Sequence, residues 1–267
     1  MVPFSPTRGT VRFKLEVKMS TALVTGASSG IGRELAKLLR ADGHDLILVA
    51  RRESALNALA DEIGGATVVA MDLSSPEAVT RLVALVPDVD LLVNNAGFGD
   101  SGAFVETDGP RQLEMVDLNV RAVVELTHAY LPGMVQRRFG RVLNVASTAA
   151  FQAGPYMATY FGTKAFVLSF SESLSEELRG SGVTVTALCP GVTQTEFQSV
   201  AGLSSSKVAM VKMPSASQVA SEGYAAMKSG KTLIVPGLLN RLGVVGVRLL
   251  PRVIVRRLVK VVLKIAH

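Results

Sequence analysis

Short apolar segments and helical patterns alternate along most of this 267-residue chain. Seven apolar runs have the character of buried strands, at residues 21–25, 45–50, 66–71, 90–93, 141–146, 183–189 and 231–235. Helical patterns lie between them, at 30–42, 53–63, 76–86, 109–138, 155–180 and 215–228. Strands that alternate with helices are joined by right-handed crossovers and form a parallel sheet. We therefore predict a single α/β domain with a doubly wound parallel sheet of about seven strands and helices on both faces.

A glycine-rich turn lies between the first predicted strand and the first predicted helix. It runs from Thr25 to Gly32 and has glycines at 26, 30 and 32. Glycine allows a tight turn and a close approach of a pyrophosphate to the main chain, and the helix start offers free N–H groups. The spacing is G-x-x-x-G-x-G, not the commoner G-x-G-x-x-G. Because the turn follows a strand and opens a helix, it predicts dinucleotide binding on a Rossmann-type sheet.

Composition limits the remaining possibilities. Cys189 is the single cysteine, so the chain has no intrachain disulfide and no cysteine-based metal cluster, and we predict no metal site. No apolar run is long enough to span a bilayer and no signal peptide is visible, so we expect a cytoplasmic protein. The net charge of +6 includes nine basic residues after Glu222, the last acidic residue, which leaves −3 elsewhere. Since the basic excess is confined to the tail, we predict no nucleic-acid partner.

Three side chains suggest proton transfer. Tyr160 and Lys164 are four residues apart on a predicted helix and so share a face. A neighbouring ammonium favours the phenolate of a tyrosine and lowers its pKa, which suits the pair to exchange a proton with a carbonyl or alcohol oxygen. Ser147 follows the predicted strand at 141–146, at the sheet edge where ligands bind in open α/β folds.

With these motifs in order, the chain resembles the short-chain dehydrogenase/reductase family over about residues 20–236. The resemblance rests on Thr25 to Gly32, Asp72, Asn94 to Gly97, Asn119, Ser147, Tyr160, Lys164 and Pro190-Gly191 to Thr195. It implies a nicotinamide cofactor as the source of hydride, so that no metal is needed. It also implies a homodimer or homotetramer.

The resemblance implies a role for each matching residue. Tyr160 would be the general acid in reduction, Lys164 would lower its pKa and hold the nicotinamide ribose, and Ser147 would orient the substrate carbonyl. Asn119 would hold a water that links Lys164 to solvent. The expected cofactor contacts are Gly26, Ser28, Ser29, Gly30, Ile31 and Gly32 in the turn, Asp72 and Leu73 at the adenine, Asn94, Ala96 and Gly97 at the ribose, and Pro190, Gly191, Val192 and Thr195 at the nicotinamide.

The residues after the second predicted strand indicate which nicotinamide is used. That strand ends at Ala50 and is followed by Arg51 and Arg52. An acidic residue here bonds the 2′-hydroxyl of NAD, whereas arginine accommodates the 2′-phosphate of NADP. We therefore predict NADP(H) as the cofactor and reduction as the direction.

The predicted function is NADP(H)-dependent reduction of a carbonyl to an alcohol. The segment after Gly191 carries Phe197, Val200, Leu203 and further apolar residues, which favours an apolar ketone, aldehyde or 3-oxoacyl substrate. Two alternatives stay open: an NAD-dependent alcohol or steroid dehydrogenase, and a non-catalytic NADP-binding scaffold. Intact Ser147, Tyr160 and Lys164 argue against the scaffold, and Arg51-Arg52 argues against NAD.

Two segments lie outside the predicted 19–236 domain. Residues 1–18 form a basic extension, expected to be partly mobile, without any motif. Residues 237–267 are predicted as a basic amphipathic helical tail in which Pro251 separates two helices. The tail resembles that of some bacterial short-chain reductases that act on acyl or lipid ketones. A basic amphipathic helix suits a membrane surface, but we favour a subunit interface or a cover over the active site, with Ile254, Leu258, Val261 and Ile265 facing inward.

Overall fold

A seven-stranded parallel sheet forms the centre of the computed structural model, which describes residues 20–202 and 213–264. The strand order is β3-β2-β1-β4-β5-β6-β7, and every pairing is parallel. The strands are Thr21–Thr25 (β1), Asp45–Ala50 (β2), Thr67–Ala70 (β3), Leu91–Asn94 (β4), Gly140–Val145 (β5), Val183–Leu188 (β6) and Leu233–Ile234 (β7). The predicted doubly wound α/β architecture is confirmed.

Helices cover both faces of this sheet. They are Gly30–Ala41 (α1), Glu53–Glu62 (α2), Ala78–Leu85 (α3), Gly109–Val116 (α4), Ala122–Gln136 (α5), Ala158–Glu177 (α6), Phe197–Val200 (α7), Ala216–Lys228 (α8), Leu238–Leu249 (α9) and Arg252–Lys264 (α10). Short 3-10 turns lie at Phe104–Glu106 and Thr148–Phe151.

The apolar strands explain why the sheet is covered on both sides. Successive side chains of a strand point to opposite faces, so Ala22 and Val24 pack in one core with α1 and α8, and Leu23 packs in the other with α3 and α5. All three of these side chains are fully buried. A strand that is apolar on both faces is typical of a parallel sheet enclosed by helices.

The strand order reverses beside β1, and this reversal positions the site. β1 pairs with β2 on one side and with β4 on the other. Strands β2 and β3 therefore lie on one side of β1, and β4 to β7 lie on the other. A crevice opens outside the carboxyl ends of the strands at such a point. The glycine turn after β1, Arg51 after β2 and Asn95 after β4 all lie at this edge.

One long predicted helix is interrupted. Instead of a single helix over 109–138, the structure has α4, a π-helical turn at Asp117–Arg121, and α5. A π turn widens the helix by one residue and is often found at functional sites. Here it carries Asn119, so the interruption sets where that side chain points.

The two tail helices form as predicted, but the inward face of α10 is different. Val255, Val259 and Leu263 face the body of the domain, whereas Ile254, Leu258 and Val261 are exposed. The prediction is wrong for Ile254 and Val261, because α10 has apolar residues around much of its circumference and the sequence does not indicate which side meets the domain. Leu258 is exposed, but it lines the cavity described below. Ile265 and the extension 1–18 lie outside the described residues.

The described residues contain neither a helix suited to span a membrane nor a cluster suited to bind a metal ion. No helix within 20–202 and 213–264 is both long and apolar enough to cross a membrane. Within the same ranges, no group of three or more His, Cys, Asp or Glu side chains has a geometry suited to a metal ion.

Candidate active site

The glycine turn after β1 is held tightly against β4. Gly26 and Gly30 have φ angles of 64° and 56°, which side chains with a Cβ rarely adopt. The Asn95 amide donates to the Thr25 carbonyl at 3.0 Å and to the Gly26 carbonyl at 3.1 Å. A Cβ on Gly32 would stand 2.4 Å from Asn95 Nδ2 and 2.5 Å from the Gly26 oxygen. Position 32 therefore has no room for a side chain. Without side chains at its glycines, the turn leaves the N–H groups in the first turn of α1 accessible to an anion.

A cavity of about 1000 Å³ opens at the carboxyl ends of the strands. Of the residues predicted to bind cofactor or act in catalysis, those that line it are Gly26, Ser28, Ser29, Gly30, Ile31, Arg51, Arg52, Asp72, Leu73, Ala96, Gly97, Ser147, Tyr160, Lys164, Pro190, Gly191, Val192 and Thr195. The cavity therefore joins the glycine turn at one end to the Ser147 and Tyr160 side chains at the other. Its dimensions and glycine-lined wall fit a dinucleotide.

Ser147 begins the turn that follows β5. Its Oγ accepts a hydrogen bond from the Ala149 backbone N–H at 3.1 Å and lies 3.4 Å from the Pro190 carbonyl, to which it donates. These contacts cap the 3-10 turn at Thr148–Phe151 and tie the ends of β5 and β6 together. They fix the Ser147 hydroxyl at the wall of the cavity.

Tyr160 is buried in the first turn of α6, at the apolar end of the cavity. Its ring contacts Phe161 edge-on and lies 5.2 Å, centroid to centroid, from the ring of Phe197. Burial raises the pKa of the Tyr160 hydroxyl to about 12, while its hydrogen bond with Ser147 acts in the opposite direction. At neutral pH this hydroxyl is therefore protonated and able to donate a proton.

Lys164 lies one turn further along α6 and is also buried. Its Nζ donates a hydrogen bond to the Val145 carbonyl at 2.8 Å and lies 5.9 Å from the centroid of the Tyr160 ring. Burial lowers the pKa of the Lys164 ammonium to about 8, because desolvation disfavours the charged form. The predicted Tyr160 and Lys164 pair is brought together, but the predicted lowering of the Tyr160 pKa by Lys164 is not observed. Burial raises the pKa of Tyr160 instead, because the ring is enclosed by apolar side chains.

Asn119 lies behind the cavity wall. Its Oδ1 accepts from the Phe98 N–H at 3.1 Å, and its Nδ2 donates to the Phe98 carbonyl at 2.9 Å and to Thr163 Oγ1 at 3.1 Å. A Cβ on Gly97 would approach Asn119 Oδ1 to 2.8 Å and Lys164 Nζ to 3.4 Å. Asn119 therefore positions the strand-end segment that faces Lys164.

The Asn94 side chain does not lie where the prediction placed it. Its side chain is buried within the fold, where Nδ2 donates to Asn144 Oδ1 at 2.9 Å and to Thr127 Oγ1 at 3.2 Å. It braces β4 against β5 and does not line the cavity, whereas its neighbour Asn95 does. The prediction named Asn94 among the ribose contacts; in a strand, adjacent side chains point in opposite directions, so the two neighbours have different roles.

The arginines after β2 are engaged by acidic partners. Arg52 lies 2.7 Å from the Glu196 carboxylate and donates to Ser28 Oγ at 3.2 Å, and Arg51 lies 3.5 Å from Glu114 and 3.8 Å from Asp72. Sequence reasoning missed Glu196, because 144 residues separate it from Arg52. The Arg52 guanidinium holds the pKa of Glu196 below its usual range. Both arginines are exposed at the cavity rim, where an anionic ligand can compete for them.

The other end of the cavity is apolar. Met157, Phe161 and Phe197 line it together with four residues of α10 that the sequence did not assign to the site: Leu258, Val259, Val262 and Leu263. Val259 and Leu263 pack against the cluster that contains Tyr160. Helix α10 therefore forms one wall of the cavity, in agreement with the expectation that the tail covers the active site.

Known proteins share this fold. A family profile described as short chain dehydrogenase matches residues 20–214. A short chain dehydrogenase of Pseudocercospora fijiensis is 39% identical over 198 residues, which are 70% of this chain and 63% of that protein. The very-long-chain 3-oxoacyl-CoA reductase of Laccaria bicolor is 41% identical over 182 residues, 64% of this chain and 54% of that protein. The chain thus spans less than two thirds of the length of these two relatives.

A solved structure is similar to this chain over most of its length. The short-chain dehydrogenase from Sphingobium yanoikuyae in complex with NADPH superposes with a TM-score of 0.78 at 34% identity, covering 86% of this chain and 94% of that chain. The family profile covers all seven strands except β7, together with the cavity residues from the glycine turn to Thr195. This chain therefore belongs to the short-chain dehydrogenase family of oxidoreductases.

Proposed function

We propose that this protein reduces an apolar carbonyl compound to an alcohol with NADP(H) as the hydride donor. The observation that carries the proposal is that the half-buried Ser147 and the buried Tyr160 and Lys164 share one cavity with the glycine turn. The cofactor, when bound, supplies the hydride, so that the protein has to supply binding, orientation and a proton. The similarity to a dehydrogenase bound to NADPH supports the choice of cofactor.

Tyr160 would donate the proton that the carbonyl oxygen takes up. Its hydroxyl is protonated at neutral pH, as a general acid must be, and its side chain lines the same cavity as Ser147. The Ser147 hydroxyl has one proton, so it would turn from the Pro190 carbonyl, 3.4 Å away, to donate a second hydrogen bond to the same oxygen and fix the carbonyl relative to the cofactor. The Tyr160 ring is held by packing and Ser147 by the Ala149 N–H, so little further reorganisation would be required.

Lys164 would act in two ways. Its ammonium favours the phenolate that Tyr160 leaves behind after donating its proton, since an opposite charge nearby stabilises the ionised form. Nζ also lies close to Gly97, where a Cβ would be 3.4 Å away, and this supports a second role in which it would hold a ribose hydroxyl at the glycine-lined wall. Asn119 would keep the Gly97-Phe98 backbone in the position this requires.

The substrate end of the cavity supports an apolar substrate. Aromatic and aliphatic side chains line it, and burial of such surface contributes about 25 cal/mol per Å² of apolar area removed from water. One relative of this chain is a very-long-chain 3-oxoacyl-CoA reductase. We propose a ketone, aldehyde or 3-oxoacyl compound with an apolar chain as the substrate. A screen of these three classes with NADPH, followed by loss of NADPH absorbance, tests the proposal.

The arginines at the cavity rim give a testable cofactor preference. We expect NADPH to bind at least about tenfold more tightly than NADH, because a charge-assisted hydrogen bond contributes roughly 1.5–3 kcal/mol. The double variant Arg51→Ala/Arg52→Ala should lose this difference by weakening NADPH binding, while the Kd of NADH changes little. Fluorescence titration of both cofactors provides the measurement.

A matched control separates this effect from a general loss of surface charge. Arg81 is an exposed arginine on α3 that does not line the cavity, and Arg81→Ala should leave both dissociation constants unchanged. Glu196→Gln should strengthen NADPH binding, since it removes the carboxylate that competes for Arg52. Equal Kd values for NADPH and NADH in the wild-type protein would overturn the cofactor assignment.

A further inference from the structure

Helices α9 and α10 each expose apolar side chains on one face. On each helix the exposed apolar residues recur every three or four positions, which places them on one face: Leu238, Leu242, Val245 and Leu249 on α9, and Ile254, Leu258 and Val261 on α10. The stretch 238–262 holds 11 of the 21 exposed large hydrophobic side chains in the described part of the chain. Single exposed leucines are ordinary, but so many exposed apolar side chains on two successive helices indicate a binding surface. We call these two exposed faces the α9–α10 surface.

Basic side chains border the α9–α10 surface. The helices carry Arg241, Arg248, Arg252, Arg256, Arg257 and Lys260 among their described side chains, and the chain has no acidic residue after Glu222. Arg241 lies 3.4 Å from Glu222, and Arg248 stacks over Phe151. Within residues 20–202 and 213–264, no acidic side chain forms an ion pair with Arg252, Arg256, Arg257 or Lys260. The surface therefore combines exposed apolar area with uncompensated positive charge.

A second exposed group extends this surface. Phe104 and Val105 are 65% and 92% exposed on the turn after β4. A small cavity of about 430 Å³ lies between Phe104 and the basic residues Arg256, Arg257 and Lys260 of α10. An aromatic side chain next to basic residues is the composition that favours the headgroup region of a bilayer, where apolar and charged groups are both accommodated.

The chemistry of the surface restricts what can cover it. In a symmetric dimer formed through the α9–α10 surface, this surface would face its own copy, and the cations of the two copies would repel each other. A nucleic acid would pair its phosphates with the cations but would leave the exposed apolar side chains without an apolar partner. A bilayer with anionic lipids matches both features, because its phosphates face the cations and its acyl region accepts the leucines. We propose that the α9–α10 surface docks this protein on an anionic phospholipid bilayer.

The active-site cavity opens beside this surface. Leu258 and Val262 are exposed on α10 and also line the cavity wall. The apolar lining of the cavity is therefore continuous with the surface that would meet the bilayer. For the reductase proposed above, on which this last step rests, docking would turn the apolar end of the cavity toward a lipid-dissolved substrate.

Vesicle co-sedimentation of the full chain tests the docking without any measurement of activity. We expect the wild-type protein to sediment with phosphatidylcholine vesicles that contain phosphatidylglycerol, to stay in solution with phosphatidylcholine alone, and to be released by high salt. Leu242→Gln/Leu249→Gln should weaken the partition coefficient by at least about tenfold, because both leucines lose the apolar region of the bilayer. Arg256→Gln/Arg257→Gln should weaken it by a similar factor, since each cation near the surface contributes.

Matched substitutions elsewhere serve as the control. Leu85 and Leu113 are each 67% exposed, on α3 and α4, and Leu85→Gln/Leu113→Gln should sediment like the wild type. Light scattering of the same samples reports whether Leu242→Gln/Leu249→Gln changes the molecular mass. Failure of the wild-type protein to bind anionic vesicles at low salt would overturn the proposal. A change in mass without any effect on sedimentation would also overturn it and would make the surface an interface between copies.

Discussion

Tyr160→Phe is expected to reduce the turnover of carbonyl reduction by about 10²–10⁴-fold, the usual contribution of general acid catalysis. The phenylalanine ring keeps the contacts with Phe161 and Phe197, so the apolar end of the cavity stays filled. Only the hydroxyl that would donate the proton is lost. The Kd of NADPH should change by less than about threefold, because no charged group is removed. Steady-state kinetics and a cofactor titration on the same preparation separate the two quantities.

Tyr130→Phe is the matched control for this substitution. Tyr130 is also buried, and its hydroxyl donates to the Val86 carbonyl at 2.9 Å on the side of the sheet covered by α3 and α5. Burial raises the pKa of this hydroxyl to about 12 as well. Its loss should lower the stability by about 1 kcal/mol and leave turnover intact. If Tyr160→Phe keeps more than about a tenth of wild-type turnover, Tyr160 is not the proton donor.

Gly32→Ala is expected to weaken NADPH binding by displacing the glycine turn. The new methyl group would meet Asn95 Nδ2 at 2.4 Å and the Gly26 carbonyl oxygen at 2.5 Å, and backbone at such a distance has to move. Overpacking of this kind costs typically 1–3 kcal/mol. Because the displaced atoms hold the glycine turn, we expect the cost to fall on NADPH binding and to weaken it by about ten- to a hundredfold. Calorimetric titration measures this directly.

Gly246→Ala provides the comparison for the glycine substitution. Gly246 lies in α9, and a Cβ there would meet no atom within 4 Å. Alanine in a helix is favoured over glycine by about 1 kcal/mol, so the melting temperature should rise slightly and NADPH binding should be unchanged. Wild-type affinity for NADPH in Gly32→Ala would show that the glycine turn does not contact the cofactor.

Much of the fold follows from local pattern alone. Each predicted strand overlaps an observed one, because a buried parallel strand is a short apolar run that differs plainly from its amphipathic neighbours. The π turn at Asp117–Arg121 could not be predicted, since the helical pattern continues through it and the extra residue is accommodated by packing. Similarly, α10 has more than one apolar side, and the side that contacts the domain is set by its place over Tyr160.

The sequence predicts the parts of the candidate site in which the chemistry requires particular residue types. It does not predict contacts between segments that are far apart in the chain. Ser147, Tyr160 and Lys164 stand at strand ends or on one helix face, so their spacing predicts that they come together, and they line one cavity. The pairing of Glu196 with Arg52 depends on contact between segments far apart in the chain, for which the sequence has no signal. A cover over the active site was one of the two roles predicted for the tail, but the sequence did not indicate which residues of α10 line the cavity, for the same reason.

The most direct test of the proposed reaction follows the hydride itself. NADPH deuterated at C4 of the nicotinamide is incubated with the protein and the best carbonyl compound from the screen, and the product is examined by mass spectrometry and NMR. The account predicts an alcohol that carries one deuterium on the former carbonyl carbon, and about 10²–10⁴-fold slower formation of it by Tyr160→Phe. An alcohol without deuterium at that carbon would contradict direct hydride transfer in this cavity. Tight NADPH binding with no product from any of the three carbonyl classes would favour a non-catalytic NADP-binding protein instead.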